Sequence, residues 1–223
     1  MDTALRPHSP VTRVLIARGP RAFGDGFVSL LLPLYLREVG FGPLQVGILA
    51  TATLLGSGLL TLTVGLRAHR HHYRTLLLAA ATLMTATGLG FAAVSDFWPL
   101  LVIAVVGTLN PSSGDVSVIL PSEHAVLSQA ARDRERTAVF ARYSLVGALV
   151  AGIGALAATL PAMLAEATGA PLAATLQAMF VRYAALGMLV ALAYRGLPAA
   201  RAVDASSGPR APARRPRTPD AGT

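Results

Sequence analysis

Runs of about twenty apolar residues recur along this 223-residue chain, near positions 14–36, 43–66, 75–95, 98–121, 138–160 and 173–195. A helix rising about 1.5 Å per residue needs roughly that length to cross some 30 Å of hydrocarbon. The pattern predicts an all-α, polytopic membrane protein with six transmembrane helices. Composition agrees, with 53% hydrophobic and only 13% charged residues. The first run follows MDTALRPHSPVTR, is longer than a signal-peptide core and has no small-residue cleavage site, so it reads as a retained span. Gly19-Pro20 interrupts it: either the helix begins further back and kinks, or Pro20 opens it at its first turn. The absence of Cys excludes disulfides and thiolate metal sites.

All basic residues are Arg, with no Lys, and the formal net charge is +8. In a membrane chain this excess is first a topology signal, and no nucleic-acid partner is expected. RAHRHHYR (67–74) and RDRER (132–136) are basic, whereas SDFWP (95–99) and PAMLAEATGAP (161–171) carry only Asp96 and Glu166. Excess positive charge stays inside, which predicts both termini in the cytoplasm, with Trp98 and Phe97 at the opposite interface. The short loop between the first two spans carries a balanced Arg37 and Glu38 and leaves that count unchanged. From Pro198 the chain holds Pro, Arg, Ala and Ser and loses Leu, Ile, Met and aromatic residues. Three parts are therefore expected: an N-terminal cytoplasmic segment (1–12), a six-helix transmembrane domain (13–197) and a disordered Pro/Arg-rich tail (198–223).

Polar residues inside the apolar runs mark where function would lie. In the fourth run GTLNPSSGDVSVILPSE places Thr108, Ser112, Asp115 and Ser122 on one helical stripe, below Asn110-Pro111, which removes a backbone donor. In the first run Arg18, Arg21, Asp25 and Ser29 share a face, with Arg21 and Asp25 one turn apart and Asp25 between Gly24 and Gly26. Two readings follow: the acids line a water-accessible pathway, or they pair with Arg21 and Arg142 and hold helices together. For Arg182, in the sixth run, an internal partner is expected in preference to lipid. In the fifth run Tyr143, Gly147, Ala151, Gly154 and Ala158 form a smooth ridge for close helix packing, and Gly47, Thr51, Gly56 and Gly58 form a looser one in the second. His69, His71 and His72 lie in a short basic loop with no neighbouring carboxylate, so neither a metal site nor a cofactor is expected there.

Six spans with both ends inside, a tight basic loop after the second and a longer basic one after the fourth resemble the N-terminal half of a major facilitator superfamily transporter. The loop GLRAHRHHYR is similar to that superfamily's signature Gly-x-x-x-Asp-Arg-x-Gly-Arg-Arg: Gly65, Arg70 and Arg74 match, whereas His69 replaces the Asp and His72 the second Gly. The missing acid removes one side of the contact this gating loop makes with the other half in family members. The Gly-rich fifth run resembles the antiporter motif without its Gly-Pro pair. The resemblance implies a secondary transporter of a small molecule, not an enzyme. Its first and fourth helices would line the pathway, which puts Arg21, Asp25, Asn110, Ser112, Asp115 and Arg142 in or beside it and makes Asp115 a carrier of a coupling proton or a contact for a cationic substrate. Only one half is present, so either two copies rebuild the twelve-helix arrangement or the reading frame is truncated near 198. A non-transporting membrane scaffold or accessory subunit is the alternative; an intramembrane aspartyl protease would need its two acids within hydrogen-bond reach of each other.

Overall fold

The computed structural model describes residues 10–67, 72–107, 119–130 and 135–197. They form α1 (Pro10–Glu38), α2 (Pro43–Arg67), α3 (Tyr73–Ala93), α4 (Phe97–Val106), α5 (Ile119–Ala130), α6 (Arg136–Ala157), α7 (Leu160–Thr168) and α8 (Leu172–Arg195). Four helical stretches are long and apolar enough to cross a membrane: Pro43–Val64, Tyr73–Ala93, the continuous Arg136–Thr168, and Leu172–Arg195. The expected tail from 198, the loop positions His69, Arg70 and His71, and Thr108, Asn110, Pro111, Ser112 and Asp115 lie outside the described residues.

The interruption at Gly19-Pro20 is resolved by an early start. α1 runs for 29 residues with Pro20 and Pro33 inside it. Proline leaves the carbonyl four residues back without its helical donor, which a membrane helix tolerates where neighbours cover the backbone. Two expectations are corrected. The fourth span, expected to be continuous over 98–121, is two separate described helices, because α4 stops at Val106 and Gly107 turns extended at ψ 177. The weak helix formers that follow in the sequence, Asn110-Pro111 and Gly114, disfavour simple continuation. The segment 161–171, expected as a loop, instead begins with α7, where Pro161 sits in the first turn and Ala, Met, Leu and Glu sustain the helix. Gly169 ends it in the left-handed conformation at φ 69, open to glycine at little strain.

α1 is the centre of the bundle, packed on α6 and α8 and touching α5 and α2, while α3 lies on α8 and α2 on α4. The predicted ridge of α6 is the surface that meets α1. A side chain at Gly26 would overlap the Ala151 carbonyl, and one at Gly154 would overlap the backbone at Phe23. Hydrogen there lets the two backbones approach closely. Two apolar cores result. One gathers Phe27, Leu31 and Tyr35 of α1 with Phe91, Phe180 and Tyr183; the other gathers Val11, Val14 and Ala17 with Leu77, Leu127, Val139 and Val190. The two turns of α1 from Arg18 to Asp25 lie in the gap between them. Outward faces stay apolar and open, among them Leu55, Leu59, Leu62 and Leu66 of α2 and Leu145, Leu149 and Ile153 of α6. Such faces suit lipid or another membrane helix.

Candidate functional site

The gap between the apolar cores is filled by charge. Arg21 is 2% exposed and Glu123 is fully buried, and the Arg21 Nη2 stands 2.7 Å from Glu123 Oε2. Tyr143 donates to the same carboxylate oxygen at 2.5 Å, and Tyr194 donates to Oε1 at 2.6 Å. Arg21 Nη2 also donates to the Tyr143 hydroxyl at 2.9 Å, closing a ring of arginine, tyrosine and carboxylate. Four helices contribute one residue each, α1, α5, α6 and α8, so the cluster ties together elements distant in sequence.

A second layer surrounds this ring. The Arg18 guanidinium lies 4.7 Å from the centre of the Tyr143 ring, a cation–π contact. The His124 ring meets Tyr143 edge-on at 5.3 Å and Phe140 at 5.1 Å. The ring lies toward the side where α1 and α6 begin and α8 ends, since Tyr194 is the residue before the last of α8. A buried ion pair is stable only when the remaining donors and acceptors are also satisfied, and the two tyrosine hydroxyls do this for the carboxylate.

Of the residues singled out in the sequence, Arg21 is at the heart of the site. Asp25 stands one turn further along α1, half-buried, and Ser122, 5% exposed, adjoins Glu123 on α5. Arg142 is exposed on α6, the residue before Tyr143. Gly65 belongs to the last turn of α2 and Arg74 to the first turn of α3, where Arg74 lines a cavity with Val126 and Leu197 and takes no part in the ring. Arg182 is exposed on α8, and its hydrogen bond is to the Met179 sulfur at 3.1 Å, so the internal ionic partner expected for it is not found among the described residues. Glu123, Tyr143 and Tyr194 were not legible as site residues. The available signal was Glu123 itself, a carboxylate directly after the Ser122 that ends the polar stripe, inside the apolar run ILPSEHAVL.

A bundle of long apolar helices with open apolar flanks and a fully buried ionic network defines a multi-pass membrane protein. The Major Facilitator Superfamily model matches residues 14–220, and the chain belongs to that superfamily. It is 27% identical over 129 residues to an uncharacterized membrane protein of Saccharomyces cerevisiae, YJR124C, covering 58% of this chain and 29% of the relative. It is also 27% identical over 139 residues to a D-xylose transporter of Levilactobacillus brevis, covering 61% of this chain and 30% of the relative. The chain thus spans under a third of the length of these curated relatives.

Proposed function

We propose that this chain is one six-helix half of a secondary transporter of the major facilitator type, moving a small molecule across a bacterial cell membrane with both termini in the cytoplasm. In this reading α1, α2, α3, α4 joined to α5, α6 and α8 are the six spans, and α7 lies at the far surface. The complementary half comes from a second copy or from the remainder of a longer polypeptide. The observation that carries the reading is the Arg21–Glu123 pair, held by Tyr143 and Tyr194 inside the bundle. A charge pair that ties four helices is an element with two arrangements, closed when paired and open when a proton or ligand separates it, as alternating access requires.

Asp25 and Arg21 belong to the pathway, with Asn110, Ser112 and Asp115 on its other wall and Arg142 at its edge; Asp115 carries a coupling proton or contacts a cationic solute. Gly65, Arg70 and Arg74 form the gating loop. The relative named as a D-xylose transporter makes a pentose the first solute to assay. The test is uptake of radiolabelled D-xylose and a panel of cationic solutes by proteoliposomes, with and without a proton gradient. Asp115→Asn is expected to abolish transport while leaving membrane insertion unchanged. The second reading is a non-transporting membrane scaffold or accessory subunit. It predicts that Asp25→Asn and Asp115→Asn change nothing in the same assay.

A further inference from the structure

We draw no further inference here: the strongest candidate, the cavity between the starts of α1 and α3 and the ends of α5 and α8, lined by Arg74 and Gln129, carries none because the chain at each of these four walls runs on into residues outside the described ones, so nothing in the structure shows what fills it.

Discussion

Arg21 and Arg182 are both single cations inside long apolar helices, yet they live in opposite surroundings. Arg21 is 2% exposed and meets a carboxylate and a tyrosine hydroxyl at 2.7 and 2.9 Å. Arg182 is exposed and meets a thioether at 3.1 Å. The difference teaches that charge in an apolar run has no single meaning. On α1 the guanidinium completes an interior built around it; on α8 it stands exposed among apolar side chains of the described surface.

The largest effect expected from this contrast is at Glu123. Removing one member of a buried ion pair leaves the other charge uncompensated, at a cost of about 3–5 kcal/mol. Glu123→Ala should therefore unfold the protein far below the wild-type midpoint in micelles, read by helical circular dichroism against temperature or denaturing detergent. Replacing both partners, Arg21→Leu with Glu123→Leu, should recover part of the loss, because no charge is then stranded although the Tyr143 and Tyr194 hydroxyls lose their acceptor. A double variant as unstable as the single one would break the comparison, placing the damage in lost packing and not in the orphaned guanidinium.

A smaller effect belongs to the tyrosines. Tyr194 is fully buried and gives Glu123 Oε1 its hydrogen bond at 2.6 Å. Tyr194→Phe keeps the ring and removes that donor, which should cost about 1.5–3 kcal/mol for a bond to a charged acceptor. Melting of this variant within error of wild type would mean that Arg21 and Tyr143 satisfy the carboxylate without it.

The same contrast explains what could be read from the sequence. Apolar run length gave five of the helices to within a few residues at most ends, since α2, α3 and α8 are near-continuous and α6 begins within two residues of the expected start. The ridge of Gly147, Ala151 and Gly154 was visible because small residues at helical spacing have one use, and α1 lies on it. Glu123 was hidden because its partners are 102, 20 and 71 residues away. Helical periodicity orders residues along one helix and is silent about which helices meet. That is why Arg21 could be set beside Asp25, its neighbour by spacing, but not beside Glu123. α7 was missed for a different reason: Pro161 and Glu166 look like loop chemistry, although proline in a first turn starts a helix as readily as it ends one.

The smallest effect is expected at Arg182, and its smallness is what sharpens the comparison. In micelles the exposed guanidinium has water and detergent headgroups within reach, so Arg182→Leu should move the melting midpoint little, by an amount matching less than about 1 kcal/mol. In a bilayer the same change should favour insertion, because it removes a charge costing about 2.5–3.5 kcal/mol at mid-span. Comparing the fraction of α8 inserted by a translocon for the two sequences checks this directly. An Arg182→Leu variant that melts as early as Glu123→Ala would mean that Arg182 has an interior role like that of Arg21. A variant that melts like wild type and inserts better separates the two arginines: one holds the bundle together from within, and the other stands on an outer face at a cost to insertion.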